Sequence, residues 1–171
     1  AKDRLQDQAC LQCHPRFGED VEAHTHHARD SVGSRCQNCH MPHTVYGLLK
    51  SIRSHWIDSP SAAKTRETGR ANACNLCHLD KSLGWSADRL TVWYRQPRPA
   101  LERDEEQIAE GIRWTLSGDA QQRAMMAWHM GQPDPVQHRV GPVPGGAPFG
   151  SGQPAEAARE AFARDLGPIA L

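Results

Sequence analysis

Apolar side chains recur with a helical period near the middle of the chain. Residues 82–94 carry one apolar stripe, formed by Leu83, Ala87, Leu90 and Tyr94. Ser82 precedes the stripe and is a good N-cap, because its hydroxyl can accept a hydrogen bond from the first turn of a helix. The pattern therefore predicts a helix over 82–94.

Two more helices are predicted after the break at Gln96-Pro97-Arg98-Pro99. The first runs from about Asp104 to Leu116, and the second begins after an N-cap at Asp119 and ends at Met130. The short link between them predicts an antiparallel helical hairpin. Since one hairpin cannot bury both of its faces, we expect it to pack on the preceding residues or on a partner. Its apolar positions are Ile108, Ile112, Leu116, Met125 and Trp128.

The C-terminal residues have a different composition. Between Val140 and Pro154, nine of fifteen residues are glycine or proline, which excludes regular structure there. A short helix is predicted from about Pro154 to Asp165. Two interpretations of the Pro/Gly-rich segment stay open: a free tail, or an extended strap that grips a neighbouring subunit, with His138 at its start as a possible ligand donated to that neighbour.

The overall composition is polar for a chain of 171 residues. Only 38% of the residues are hydrophobic and the mean hydropathy is −0.68, so folding needs help from cross-links, metals or a bulky apolar cofactor. The 20 basic and 20 acidic residues cancel and form no long basic run, which argues against a nucleic-acid partner. No stretch reaches the roughly 18 apolar residues of a membrane span, and the polar N-terminus is not a signal peptide.

All six cysteines fall in three copies of one pentapeptide, C-x-x-C-H. This is the attachment signature of c-type haem. On a helical turn, two cysteines three positions apart can each form a thioether to one haem vinyl group, and the next histidine then lies under the iron. The copies are Cys10-Leu11-Gln12-Cys13-His14, Cys36-Gln37-Asn38-Cys39-His40 and Cys74-Asn75-Leu76-Cys77-His78.

Three other uses of paired cysteines explain the pattern less well. Structural zinc and a disulfide framework would both leave the three histidines without a role. A thioredoxin-like motif would normally occur once, next to a βαβ unit. We therefore predict three haem c groups, with His14, His40 and His78 as the proximal iron ligands.

Seven histidines remain for the second axial positions: His24, His26, His27, His43, His55, His129 and His138. This surplus favours bis-histidine ligation, which gives lower reduction potentials than His/Met ligation. Methionine ligation is the minority interpretation. Met41 is too close to His40 to reach across the same haem, and Met125, Met126 and Met130 fall on an apolar helical face where core packing is expected.

The stretch from His24 to Tyr94 resembles a group of bacterial multihaem c-type cytochromes, some of which are fused to helical repeats. The resemblance covers about 70 residues. It rests on His24-Thr25-His26-His27, Ser31-Val32-Gly33, Cys39-His40-Met41-Pro42, Tyr46, Arg53-Ser54-His55, Asn72-Ala73-Cys74 through His78, and Trp93-Tyr94. It implies that His24, His27 and His55 are the distal iron ligands, and that His26 and His43 are variable positions. Either of these two could replace one of the three if the helix register differs. Relatives often have more than three haem motifs.

The expected fold is mainly α with much irregular loop. Residues 1–95 form a multihaem cytochrome c domain organised around three haems, 96–131 a helical hairpin packed on it, and 132–171 the Pro/Gly-rich strap with a short helix. We also expect the stripe of 82–94 to pack on the third haem, with Trp85 or Trp93 near its edge.

The expected function is electron transfer, not catalysis. Three attachment motifs within 69 residues keep the haems close, and two protein ligands on each iron leave no site for a substrate. The alternative is a multihaem oxidoreductase with one open-site haem. Expected partners are redox proteins, other cytochromes or a membrane electron-transfer complex, with a subunit or filament role compatible with this. Because covalent haem attachment takes place outside the cytoplasmic membrane, we expect a mature periplasmic or extracellular chain whose signal peptide has been removed.

Overall fold

The computed structural model describes residues 6–47 and 51–131, and helices predominate in them, as predicted. The helices are α1 (Gln8–Leu11), α2 (Arg16–Glu19), α3 (Val21–Thr25), α4 (Cys36–His40), α5 (Ala62–Thr68), α6 (Leu83–Tyr94), α7 (Arg103–Gln107), α8 (Glu110–Ser117) and α9 (Ala120–Met130), with a 3₁₀ turn at Val32–Ser34. Strands β1 (His43–Val45) and β2 (Ser51–Arg53) pair antiparallel, with Thr44 opposite Ile52. No helix in these ranges is both long and apolar enough to cross a membrane.

Helix α6 confirms the helix predicted over 82–94. The Ser82 hydroxyl caps it by accepting from the Trp85 N–H at 3.1 Å. Leu83, Ala87 and Leu90 of the predicted stripe are buried, but Tyr94 is 40% exposed.

Two residues of the α6 stripe pack on a neighbouring helix. Leu83 and Ala87 lie against Ala62 of α5, and packing of the stripe on the third haem stays a prediction. Helix α5 carries too few apolar residues to be predicted from its sequence pattern. Its small Ala62 side chain allows α6 to approach α5 closely. Ser86, one position from the stripe, is the residue that bonds to the third motif, at Asn75 Oδ1 (2.7 Å).

The single helix predicted from Asp104 to Leu116 is wrong, because it is broken into α7 and α8. Ile108 has an extended backbone between them. The Glu110 N–H donates to the Lys81 carbonyl at 2.9 Å, and the Gly111 N–H donates to the Leu79 carbonyl at 3.0 Å. In a continuous helix these two N–H groups would donate to carbonyls of the preceding turn. Here they donate to the segment after the third motif, and these bonds stabilise the break.

Helix α9 confirms the second hairpin helix. Asp119 caps it by accepting from the N–H groups of Gln121 and Gln122 at 2.9 and 2.8 Å. Its Met125 and Met126 are buried against Leu76, which lies inside the third motif. The hairpin therefore packs on the third motif, and its methionines are core residues as expected.

Three of the predicted apolar hairpin positions are exposed instead. Ile108 is 41%, Leu116 65% and Trp128 49% exposed. The break at Ile108 ends the helical register that would have placed Ile108 and Leu116 on one buried face. The Pro/Gly-rich segment, the helix predicted over 154–165 and His138 lie outside the described residues.

Paired charges join the helices around the hairpin. The Glu110 side chain is 1% exposed, pairs with the Arg113 guanidinium and accepts from Trp114 Nε1 at 2.6 Å. Arg113 also contacts Asp104 at 3.0 Å, from α8 to α7. Since a buried carboxylate is costly without partners, these contacts are needed for α8 to pack where it does.

Gly111→Ala should destabilise the protein. A Cβ at this position would lie 2.8 Å from the Leu79 carbonyl oxygen, which is backbone and cannot move aside cheaply. We expect a net loss of about 1–2 kcal/mol in the free energy of unfolding, because the clash outweighs the helix propensity gained. Gly131→Ala is the matched control: it has a negative φ and no neighbour closer than 3.5 Å, so its change should be small. Denaturant titration of the natively produced protein measures both, and equal stability of the two variants would contradict the assigned contact.

Candidate haem-binding sites

Each C-x-x-C-H pentapeptide folds as one helical turn. The His14 N–H donates to the Cys10 carbonyl at 3.0 Å, and the His78 N–H donates to the Cys74 carbonyl at 2.8 Å. The second motif is helix α4 itself. In each turn the two cysteines share one side, and the histidine follows directly, as thioether attachment to one macrocycle requires.

All six cysteines are unpaired thiols, so no disulfide joins the three motifs. Within residues 6–47 and 51–131 there is also no group of three or more His, Cys, Asp or Glu side chains that could hold a bare metal ion.

The first motif lies beside the second. Asp7, which precedes the first motif, accepts from the Cys36 N–H at 2.9 Å and so binds the start of α4. The pKa of the Cys36 thiol is raised to about 12, mainly by burial and in part by its neighbours Asp7 and Cys10. Sequence reasoning did not identify Asp7, because its partner is 29 residues away.

The second motif lies beside the third. Burial raises the pKa of Cys39 to about 11, with a further contribution from Cys77. Burial likewise raises the pKa of Cys74 to about 12, with contributions from Cys39 and Cys77. The motifs are thus adjacent in the order one, two, three, and a cleft of about 370 Å³ opens between Cys39 and Ala73.

Two of the three predicted distal histidines lie opposite proximal ones. The ring centroids of His24 and His40 are 6.1 Å apart, with an interplanar angle of 5°. Those of His27 and His78 are also 6.1 Å apart, at 29°. The structure therefore brings His24 to the second motif and His27 to the third.

This separation fits one iron between two imidazoles. A metal–imidazole bond is about 2 Å long, and each ring centroid lies about 1 Å beyond its nitrogen, so a ligating pair has centroids about 6 Å apart. Both observed pairs have this spacing.

Hydrogen bonds select the ligand form of two of these rings. His40 Nδ1 lies 2.7 Å from the Asp58 carbonyl oxygen, and His27 Nδ1 lies 2.6 Å from that of Thr25. Since a carbonyl only accepts, Nδ1 carries the proton and donates in both rings. Nε2 therefore keeps its lone pair, as in a metal-bound histidine whose other ring nitrogen donates a hydrogen bond.

Burial also favours neutral imidazoles. It is the main cause of the lowered pKa of His24 and of His27. The pKa of His78 falls to about 4, first through burial and then through the nearby His27. Because only the neutral ring can ligate iron, the environment keeps these side chains ready to bind.

The end of α3, which carries His24, and the residues after it, which carry His27, are held by the end of α6. The Tyr94 hydroxyl donates to the His24 carbonyl at 2.6 Å. Trp93 stacks on His26, with ring centroids 4.2 Å apart, and His26 has a left-handed backbone that ends α3. The position of His24 and His27 thus depends on residues about 70 positions later in the chain.

Helix α4 is held at its other end by Arg53 of β2. The guanidinium donates to the carbonyls of Gln37 and Met41 at 3.0 and 3.1 Å, and to Asn38 Oδ1 at 2.7 Å. A cation at the C-terminal carbonyls of a helix is favourable, so Arg53 stabilises the turn that presents His40.

Comparison with protein-family models, curated proteins and solved structures found no match. The resemblance to multihaem cytochromes rests on the sequence motifs.

In the described part of the chain, no second imidazole lies opposite His14, the proximal histidine of the first motif. His14 is exposed, and the aromatic ring found near it is that of Phe17, at 6.1 Å. His55, the third predicted distal ligand, is exposed as well, and it makes no ring contact with an imidazole in residues 6–47 or 51–131. The structure therefore does not bring His55 to His14.

Gly33→Ala should disturb the third site. A Cβ at Gly33 would lie 2.3 Å from Cδ2 and 2.8 Å from Nε2 of His27, so the imidazole would have to move. We expect one of the bound haems to gain high-spin character in the ferric absorption and EPR spectra, because its sixth ligand is displaced. Gly18→Ala is the control, since its Cβ would meet only the flexible methyl groups of Leu11. An unchanged low-spin spectrum of Gly33→Ala would contradict the placement of His27.

Proposed function

We propose that the protein transfers electrons through three closely spaced, covalently attached haem c groups. The observation that carries this proposal is the pairing of His24 with His40 and of His27 with His78, each at the spacing of two axial ligands. Two irons with both axial positions filled by protein would not bind a substrate. Their reversible ferric/ferrous couple is then the chemistry that the cofactor supplies.

The residues of the chain would set the positions of the haems and the environment of each ferric/ferrous couple. The thiols of each motif would fix one edge of a macrocycle, and the histidines would fix its axis. Asp7 at Cys36, and the proximity of Cys39 to Cys74 and Cys77, support neighbouring macrocycles along one row. Bis-histidine ligation favours low reduction potentials, which suits transfer between cytochromes.

A second candidate function comes from the first motif. His14 is exposed and lacks an imidazole partner in the described residues. If His55 does not ligate that iron, the first haem would have an open position, and the protein would be a multihaem oxidoreductase. The structure does not bring His55 to His14, but the motif resemblance makes His55 a distal ligand and the other two are already paired. The electron-transfer proposal therefore requires His55 to reach the first iron when haem is bound.

The proposed setting is the periplasm or the outside of the cell. The proposed partners are redox proteins, such as other cytochromes or a membrane electron-transfer complex. A role as one subunit of a larger cytochrome assembly is compatible with both.

Natively produced protein should contain three haems that acid–butanone extraction does not remove. Intact mass and the pyridine haemochrome spectrum measure their number. The reduced protein should not bind carbon monoxide, because each iron already has two ligands. A colourless chain of bare polypeptide mass would overturn the whole proposal, whereas one carbon monoxide-binding haem would favour the oxidoreductase.

His24→Ala and His27→Ala should each convert one haem of the three to a high-spin, carbon monoxide-binding form. The physical reason is that each substitution removes one axial imidazole and leaves the proximal one in place. His26→Phe removes the neighbouring imidazole nitrogens but keeps a ring that can stack on Trp93, and it serves as the matched control with an unchanged spin state. EPR and carbon monoxide difference spectra distinguish these outcomes, and a high-spin haem in the control alone would refute the assignment of ligands.

A further inference from the structure

Two histidines outside the three motifs meet where β1 contacts α9. The ring centroids of His43 and His129 are 6.0 Å apart, although 86 positions separate the two residues in the chain. Val45 lies on the same face of β1 as His43, because side chains alternate along a strand, and it packs on the core cluster that contains Met126 of α9. The fold therefore turns His43 towards α9.

The His129 ring has a buried nitrogen that the protein does not use. Its Nε2 has no hydrogen-bond partner in the part of the chain that the structure describes. Buried polar atoms without a partner are rare in proteins and call for an explanation, such as a bound ion. Burial first, and then the nearby His43, lowers the pKa of His129 to about 4, so the ring is neutral near pH 7. A neutral imidazole has a lone pair that can bind a metal.

The Trp128 indole lies against both imidazoles. Its ring centroid is 5.2 Å from that of His43 and 4.7 Å from that of His129. Together with the 6.0 Å between the imidazoles, these distances place a point midway between them about 4 Å from the centre of the indole, within the ~6 Å range of cation–π attraction. The indole leaves no room for a macrocycle between the two histidines, but it leaves room for a single cation.

The number and kind of donors distinguish the possible cations. Zinc takes three or four protein ligands, and no third His, Cys, Asp or Glu joins this pair in the described residues. Monovalent copper is a soft ion with a filled d shell, and two imidazoles in line are sufficient ligands for it. Met126 and Met130 of α9 add polarisable thioethers to the adjoining core, and such soft groups favour Cu⁺ over a hard ion.

We propose that His43 and His129 bind one Cu⁺ ion between β1 and α9, with Trp128 beside it. The site shares no residue with the three motifs, so it goes beyond the proposed electron transfer and does not depend on it. Binding would use the His129 nitrogen that has no protein partner. It would also give α9 a direct role, as the helix that completes a soft-metal site over β1.

Equilibrium dialysis of the natively produced protein tests this assignment. Any cysteine that carries no haem is first alkylated with iodoacetamide, because a free thiol also binds Cu⁺. The protein is then dialysed without oxygen against Cu⁺ buffered by bicinchoninate and ascorbate, and copper is counted by atomic absorption. We expect one Cu⁺ per chain. Absence of bound copper would overturn the proposal, and so would Zn²⁺ that displaces Cu⁺ at equal concentration.

Variants that keep a ring in place separate this site from copper bound elsewhere. His43→Phe and His129→Phe each remove one nitrogen ligand, so each should lower the Cu⁺ affinity at least about tenfold, since loss of even an outer-shell partner of a metal costs that much. His26→Phe is the matched control and should keep the affinity of the unaltered protein. Equal binding by all four proteins would refute the site, and far-ultraviolet circular dichroism shows whether each variant folds.

Copper K-edge X-ray absorption of the loaded, unaltered protein gives a result that needs no variant. We expect nitrogen scatterers with the multiple-scattering pattern of imidazole, and a first shell without imidazole would overturn the assignment. The covalent haem count of the same sample keeps the two proposals distinguishable. Three covalent haems without copper refute only the Cu⁺ site, whereas copper without covalent haem refutes only the proposed function.

Discussion

The fold depends on the segment from Cys74 to Lys81, onto which the other elements pack. Buried Asn75 donates to the Lys81 carbonyl at 3.0 Å and accepts from the Ser86 hydroxyl, which fixes α6. Leu76 forms a core cluster with two methionines of α9, and the carbonyls of Leu79 and Lys81 accept the first N–H groups of α8. The proposed third haem site is therefore also the place where the C-terminal helices attach.

The two core clusters are small for a chain of this length, which agrees with its polar composition. One contains Ala62, Leu83 and Ala87, and the other Leu76 with Met125 and Met126. Clusters of this size bury little apolar surface, so buried polar contacts must carry much of the stabilisation within the chain. Haem macrocycles, with their large apolar faces, would supply the missing interior.

The proposed iron ligands are positioned from a distance. The turn bearing His40 is held at its start by Asp7 and at its end by Arg53, while Tyr94 holds the end of α3, which bears His24. Such contacts set the relative positions of neighbouring sites, and the proposed electron transfer would depend on these positions. They also place the last residues of α6 beside α3.

The sequence by itself determined the local features, because these depend on neighbouring residues. The helical turns of the motifs, the Ser82 and Asp119 caps and the buried methionines of α9 follow from spacing and side-chain chemistry. The motif resemblance selected His24 and His27, which the structure places opposite His40 and His78. Tertiary structure alone decided the break at Ile108, the exposure of His55 and the approach of His43 to His129. Those three depend on atoms that are far apart in the chain and meet only when it folds.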